Sequence, residues 1–410
     1  MKESVPSDEK KISLKVLVCG AGIAGPAVAF WLAKSGHKVT VVERFPTLRA
    51  TGAQIDLRGQ GIETVKRMGL LPEVQSKLVD ELGVAFVDAK GRVKATIMAN
   101  TSGKGKQTLT SEYEIMRGDL VKLLFDKTKE SVTYLFNKSV DQISQNEEHV
   151  DVSFSDGTSD SFDLLIGADG QGSRIRQALF PGIDPYRRMG IHMAYYFIPK
   201  EDDDSNIRQT YMAPRGRMIM RRTHSDHETQ VYFTLRESSE EASSIHRKPI
   251  DEQKHFWAKR FADSGWQITR FLTGMKTTEN FYSQEVVQVQ LKCWSKGRVV
   301  LVGDAAHCAS PFSGMGASGS LVGAYVLADE IERSVNDLPN AFQRYEAVMR
   351  PFVNEIQNVS PLLLRLGLPQ SALAIRIFHL VTQIAHTLKV PELVARFSRE
   401  RDGKWNSGHS

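Results

Sequence analysis

Apolar and polar positions alternate along this chain in three different ways, and each predicts a different kind of element. A run of β-branched residues from Lys15 to Gly20 (KVLVCG) precedes an apolar stretch, IAGPAVAFWLAKSG, which Gly36 ends; a second run, HKVTVVER, follows. Strand, glycine turn, helix and strand make a βαβ unit, so its two strands should be parallel. Helical spacing dominates from about Arg58 to Leu82, and EIMRGDLVKLLFDKT predicts an amphipathic helix beginning near Arg117. HVDVSFSDGTSDSFDLLIGADG reads as a β-meander that turns at SDGTS and finishes in an apolar strand, Leu164 to Ile166.

From about Pro185 to Gln290 the texture changes. HMAYYFI, RQTYMA, RMIMRR, TQVYFTLRE and EVVQVQL alternate, which predicts an antiparallel sheet with one face covered. RVVLVGD then returns to the buried-strand pattern, and beyond Ser318 the spacing is helical to about Ser398. The expected fold class is α/β: a Rossmann-like domain from residues 12–82, 110–182 and 292–330, interrupted by a mostly antiparallel-sheet substrate domain from 83–109 and 183–291. A C-terminal helical extension, 331–400, and flexible tails, 1–11 and 401–410, complete it.

Composition narrows the classes. The chain has 410 residues, 41% hydrophobic and 25% charged, the balance of a soluble globular protein. Its net charge of +5 is spread along the sequence, with no basic stripe or motif that would argue for nucleic acid. Cys19, Cys293 and Cys308 show neither CxxC nor metal-ligand spacing, so neither a disulfide framework nor a metal site is expected; a reducing, cytoplasmic setting is. The start, MKESVPSDEKK, is polar and contains acids, unlike a signal or transit peptide. SALAIRIFHLVTQIAHTL is interrupted by Arg376, His379 and His386 and is short for a membrane span. The extension is expected to brace the two domains, the alternative being a monotopic membrane foot.

The candidate chemistry lies in three motifs. GAGIAG sets Gly20, Gly22 and Gly25 in GxGxxG spacing, with Ile23 and Ala24 between them, between a strand and a helix whose N-terminus would face a pyrophosphate. Glu43, ending the second strand, suits the hydroxyls of an adenosine ribose, and Arg44 could cover the adenine. This much does not separate NAD from FAD.

The segment LVGDAAHCASPFSGMGASGS does, because it supplies a second ligand loop about 260 residues further on. Asp304 ends a strand and would hold a ribityl hydroxyl. Pro311, Gly314, Gly316 and Ala317 lead into a helix whose N-terminus would point at the N1–C2=O edge of a flavin. His307 is expected to order this loop. The third motif, DLLIGADGQGSRIRQAL, carries Asp169-Gly170, with Arg174 and Arg176 at a helix start.

Together the three motifs, spanning Lys15 to Ala328, resemble the FAD-dependent aromatic hydroxylases of the p-hydroxybenzoate hydroxylase type. The resemblance implies that Asp169, Gly170 and Arg174 serve both FAD and the nicotinamide cofactor. It also implies a cycle in which NADPH or NADH reduces the flavin, O2 gives a C4a-(hydro)peroxide, and one oxygen atom enters the substrate. GAQIDLRGQGIETVKRMGLL and YEIMRGDLVKLL look like segments of the tetracycline-inactivating monooxygenases, implying a loop of Asp56, Leu57 and Arg58 near the flavin and an Arg117 that reaches the cofactor. Read by itself, Arg117 at a helix start suggests an anionic partner. The flavin loop departs from the family's frequent PxxGQGxN: Met315 replaces an amide and Ser318 an asparagine.

No nucleophile turn or HExxH occurs, and the one other GxGxxG spacing, Gly314, Gly316 and Gly319, lies in the flavin loop itself. No further dinucleotide turn is left over, so the nicotinamide is expected to bind transiently, and the halogenase signature Trp-x-Trp-x-Ile-Pro is missing. A water-poor pocket is needed, and His192, Tyr195, Tyr211, Arg215, Met220 and Phe312 are candidates to line it. The expected function is an FAD-dependent, NAD(P)H-using monooxygenase of a polycyclic or phenolic small molecule, as a monomer or weak homo-oligomer. The alternatives are an FAD oxidase or dehydrogenase on the same fold, and a non-catalytic flavin-binding module.

Overall fold

The computed structural model describes residues 12–49, 52–98 and 113–387. The expected tails, and the expected domain residues 99–109 and 388–400, lie wholly or largely outside these. The chain opens with β1 (Lys15–Cys19), α1 (Ala24–Lys34) and β2 (Lys38–Glu43), then β3 (Gln54–Asp56), α2 (Gln60–Arg67) and α3 (Leu71–Gln75). A hairpin, β4 (Gly83–Val87) and β5 (Val93–Met98), precedes β6 (Glu114–Met116), α4 (Arg117–Thr128) and β7 (Thr133–Phe136). The meander is β8 (Val140–Gln145), β9 (Val150–Phe154) and β10 (Ser159–Phe162), followed by β11 (Leu164–Gly167) and α5 (Arg174–Leu179).

Four long strands come next: β12 (Tyr186–Pro199), β13 (Ile207–Ala213), β14 (Arg217–Thr223) and β15 (Glu228–Arg236). Three helices, α6 (Glu240–Ser244), α7 (Ile250–Phe261) and α8 (Ile268–Thr277), separate them from β16 (Phe281–Val289). The chain then returns through β17 (Ser295–Lys296), β18 (Val299–Leu301), α9 (Asp304–His307), α10 (Gly316–Arg333), α11 (Leu338–Ile356), α12 (Pro361–Gly367) and α13 (Ala372–Thr387).

Two sheets organise the molecule. The first runs β17-β18-β11-β1-β2-β7 and is parallel apart from β17. Its central strands β1, β11 and β18 are almost wholly apolar because both faces are covered, with Val16, Leu17, Val18, Leu164, Leu165 and Val300 fully buried. Strand order reverses about β1, so the loops after β1, β11 and β18 gather at one end, where open α/β sheets hold their ligands. The second sheet runs β16-β12-β15-β14-β13-β4-β5 and is antiparallel except where β13 meets β4.

The sequence expectation for this second sheet omitted α6–α8. These helices are the cover its alternation required. Ala194, Tyr196, Ile219, Val231, Phe233 and Leu235 point at them and pack with Phe256, Trp257, Phe261 and Phe271. The alternate residues of the same strands therefore face the other way, towards the nucleotide-binding domain.

Between the sheet and α6–α7 lies a one-way chain of hydrogen bonds. His192 Nε2 reaches the Glu237 carbonyl at 3.0 Å, so that nitrogen carries the proton and Nδ1 accepts from His246 Nε2 at 2.9 Å. His246 Nδ1 is thereby left to accept from the Ser283 hydroxyl at 2.7 Å, and Ser283 Oγ in turn accepts from Trp257 Nε1 at 3.0 Å. Both imidazoles are held neutral: burial lowers His192, and burial with His192 nearby pushes His246 down to about 3.

Candidate functional site

The site is built where the glycine loops meet. In the first loop the Gly25 position sits so close to the Gly20 carbonyl that a Cβ there would lie 1.9 Å from its oxygen. This contact presses α1 onto the sheet. Glu43, ending β2, accepts from the Ala21 N–H at 2.8 Å and the Phe45 N–H at 3.1 Å, so its carboxylate is fixed at the tip of the loop. Arg44 is exposed, with its guanidinium 4.9 Å from the Phe45 ring centre. Ile23 and Ala24 open α1, which has no capping side chain and no acid in its first turn. Its orphan N–H groups are left facing outward, as an anion would need.

The second ligand segment is drawn up against the first. Asp304 begins α9. Burial pushes its carboxyl above the usual carboxylate range, against the opposing pull of the Cys308 thiol and Arg117. Pro311 opens a one-turn helix that Gly314 closes in the left-handed region, at φ +62°. A side chain there would also meet Asp56 Oδ2 at 3.1 Å. α10 then starts at Gly316, again with neither side-chain cap nor acid in its first turn; Ala317 is buried and Gly316 faces open space.

Ser318 Oγ accepts from the Arg58 N–H at 3.0 Å, and Arg58 Nη2 reaches Asp56 at 2.7 Å, while Leu57 is buried between them in sequence. So the Asp56–Arg58 loop and the flavin loop, distant in sequence, are bonded to each other. Ser318, which stands where an asparagine was expected, makes the link.

Arg117 joins both segments. Its backbone N–H donates to the Ala53 carbonyl at 3.1 Å, and its guanidinium lies 3.5 Å from where a Gly22 Cβ would be. Nη1 donates to the Arg49 carbonyl at 3.2 Å. Burial lowers its pKa, and the other groups it senses are Tyr195, Arg49, Tyr282 and Asp304. Two of those, Tyr195 and Tyr282, stand on the second sheet, so Arg117 marks where the sheet faces the glycine loops.

The register across that face is Thr210–Met220–Tyr232–Tyr195–Tyr282, one residue from each of five strands. Tyr195 stacks obliquely with Tyr232 at 5.7 Å and with Tyr282 at 5.2 Å, and Arg49 lies 5.6 Å over the Tyr282 ring. Burial raises all three phenols, Tyr232 to about 12, so they stay protonated near neutral pH. Phe312, from the flavin loop, packs with Met193, Met218 and Leu364 beside this row.

Of the residues expected to line the pocket, Met220 and Phe312 are on this face, as is Tyr195. His192, Tyr211 and Arg215 are not, which corrects that expectation. His192 belongs to the chain under α6–α7 described above. Tyr211 is buried on the helix-covered side, its hydroxyl donating to the Ser264 carbonyl. Arg215 sits in the exposed β13–β14 turn, paired with Asp263 and donating its N–H to the Gln370 carbonyl at 2.8 Å.

Asp169 lies beneath the first loop, where a Gly20 Cβ would strike the Ala168 carbonyl at 2.6 Å. Its carboxylate accepts from Ser173 Oγ at 2.5 Å, Arg174 N at 2.7 Å and Ile175 N at 3.2 Å, so it fastens the start of α5; burial raises its pKa. Arg174 is exposed. Arg176 is the buried one, with Nη1 on the Ala305 carbonyl at 2.9 Å and Nη2 on Gln171 O at 2.6 Å and Tyr186 Oη at 2.9 Å. It ties the Asp169-Gly170 turn to the start of α9. Neither Arg49, Tyr282 nor this role of Arg176 was singled out from sequence; Arg176 carried the only signal, seven residues after Asp169.

His307 orders the loop from inside. It is buried, 5.0 Å from the Trp294 ring and 3.5 Å from Tyr345 Oη, and burial, with a smaller push from Arg350, lowers it to about 4. A folded pKa below the unfolded value near 6.5 means that its stabilisation is complete above pH 6.5 and is lost as pH falls towards 4. At pH 5 the loss from His307 alone should be about 2 kcal/mol. Thermal unfolding at pH 7.5 and 5.0 should show the difference shrink in His307→Gln; an equal pH response in that variant would reject the assignment.

Two uncapped helix starts, a carboxyl beside an arginine and a glycine loop open to space make a set suited to a flavin dinucleotide: anionic in the middle, hydroxyl-bearing along the chain, flat at one end. Comparison with known proteins agrees. The family model described as FAD binding domain matches residues 13–358. An FAD-dependent monooxygenase, asL6, of Sarocladium schorii is 36% identical over 96% of this chain and 97% of its own length. The flavin-dependent monooxygenase eupH of a Phoma species is 39% identical over 91% of this chain and 92% of its own. The crystal structure of the tetracycline destructase Tet(51) superposes with a TM-score of 0.77 at 32% identity, covering 92% of this chain and 98% of that one.

Proposed function

The chain belongs to the FAD binding domain family and is an FAD-dependent monooxygenase of the class A type, and from that premise we propose its reductant and substrate class. It draws electrons from NADPH or NADH and places one atom of O2 into a flat phenolic or polycyclic small molecule. The observation that carries this reading is the Thr210–Met220–Tyr232–Tyr195–Tyr282 row, set opposite Arg117. A surface of aromatic rings and thioethers suits a planar aromatic ligand.

FAD, when bound, supplies hydride acceptance and the activation of oxygen. The residues of this chain do the rest. Glu43 and the first loop would hold the adenosine end, and Asp304 with Arg117 would fix the middle. The uncapped start of α10 would offer N–H groups to the ring system and favour the negative charge it gains on reduction. The tyrosine–methionine face and Phe312 exclude water from the reacting edge, which favours oxygen transfer over release as peroxide. Asp169 and Arg176 set the turn against which the nicotinamide would dock transiently. The buried thiols Cys19 and Cys308 and the exposed thiol Cys293 are all free, in keeping with a reducing, cytoplasmic setting.

The test is NADPH and NADH consumption in air by the yellow protein, with tetracyclines, anthraquinones and simple phenols added in turn and hydrogen peroxide counted. One compound should accelerate consumption while peroxide falls below the nicotinamide used. Turnover that ends wholly as peroxide with every compound would favour the oxidase reading instead.

A further inference from the structure

The C-terminal helices carry apolar side chains on two sides. On α13, Ile375, Phe378, His379 and Thr382 form the inner face, with Phe378 packed edge-on against Phe86 of β4 at 5.5 Å. The outer face repeats Leu373, Ile377, Leu380, Val381 and Ile384, each at least half exposed, at the i, i+4, i+7, i+8, i+11 spacing of a second apolar stripe. α12 adds Leu362, Leu363 and Leu366, 54–66% exposed. A helix with apolar stripes on two sides needs cover on both, in an interior or at a lipid surface. The sheet covers only one of its sides.

Charge selects the occupant. Between Glu355 and Glu392 the sequence has no carboxylate, whereas Arg365 and Arg376 are exposed on these two helices. A second copy meeting this face about a two-fold axis would bring these arginines towards their own counterparts with no acid in the segment to pair them. An anionic lipid surface supplies the missing charge and accepts the leucines together. α12 also touches the cleft: Leu364 and Leu368 pack with Phe312, Met193 and Met218, while Leu362, Leu363 and Leu366 of the same stretch point outward.

We propose that the outer faces of α12 and α13 dock the protein peripherally on an anionic bilayer. Resting on the substrate reading above, this means that the cleft beside Phe312 takes lipophilic substrate from the lipid. No helix among the described residues is long and apolar enough to cross a membrane, so the contact lies in the interfacial plane.

The test is flotation of the full-length holoenzyme with vesicles of phosphatidylcholine alone and of phosphatidylcholine with phosphatidylserine. The protein should float with the anionic vesicles, less so at high salt, and poorly with neutral ones. Ile377→Glu/Leu380→Glu should cut partitioning by about tenfold or more, and Arg376→Gln should weaken it on anionic vesicles only. Flavin content and nicotinamide oxidation in solution should stay unchanged in both variants. A protein that remains unbound with both vesicle types overturns the proposal. So does a dimer in light scattering that the glutamate pair separates while vesicles capture nothing. Flotation is read without turnover, so its failure leaves the monooxygenase reading standing, and a protein that floats but never transfers oxygen fails that reading alone.

Discussion

A Gly25→Val variant should purify colourless and unfold at lower temperature than the wild type. The Cβ it adds would lie 1.9 Å from the Gly20 carbonyl oxygen and 3.1 Å from its carbon, and both belong to backbone, so no side chain can swing aside. α1 must then lift away from β1, and its orphan N–H groups leave the position in which they would face a pyrophosphate. Overpacking of this kind costs about 1–3 kcal/mol in fold stability. The loss in FAD binding should be larger, because the tip of the loop is shared with Glu43, which holds Ala21. Gly25→Ala should behave in the same way, since the clash comes from the first carbon. The ratio of flavin absorbance to protein absorbance, with a thermal melt, measures both effects. A yellow Gly25→Ala protein with an unchanged melt would contradict the packing described.

Arg222→Ala should be the most destabilising single change on the cleft face of the second sheet. Arg222 is buried on β14 and donates to Glu114 at 2.5 Å and to Glu81, with Arg208 paired nearby to Glu81. Glu114 lies at the start of β6, which pairs with β3, so the cluster joins the sheet to the strand that carries Asp56. Burial pushes the Glu114 carboxyl upward, with Glu81 and Asp56 adding to it, and Arg222 opposes this.

Removing the guanidinium takes from buried Glu114 the cation bonded to it and leaves Glu81 to Arg208, a change that costs about 3–5 kcal/mol. The deficit should shrink as pH is lowered from 7.5 to 5.5, because Glu114 can then take up a proton. Glu114→Gln placed on the Arg222→Ala background should recover part of it. Denaturant melts of the four proteins measure the coupling. A loss below about 1 kcal/mol, or no recovery in the double variant, would show that the cluster is as weak as a surface pair.

Both glycine loops and the strands before them were legible because their chemistry is local. A strand buried on both faces has to be continuously apolar, and a backbone that approaches a ligand has to shed its Cβ, so KVLVCG and VVLVGD declare themselves without any tertiary information. The second sheet was legible as a sheet but not in its facing. His192 and Tyr195 lie three apart on one strand and so point to opposite sides, and which parity meets the cofactor depends on where α7 packs. The same ambiguity misassigned Tyr211.

α7 did carry a signal in the spacing of Phe256, Trp257 and Phe261, but flanking strands of similar composition masked it. Arg49 and Tyr282 could not have been found this way. They come together only because β16 folds back beside β12 and brings Tyr282 to Arg49, more than two hundred residues earlier in the chain, a contact that no local pattern records.

The central claim is that two loops far apart in the chain hold one FAD between them. The most direct measurement is a flavin-fluorescence titration of apoprotein from the wild type, Glu43→Ala and Asp304→Ala. One FAD should bind per chain. Each variant should bind it more weakly, Asp304→Ala by about tenfold or more, the worth of a hydrogen bond to a charged group. Unchanged affinity in both variants would contradict that claim.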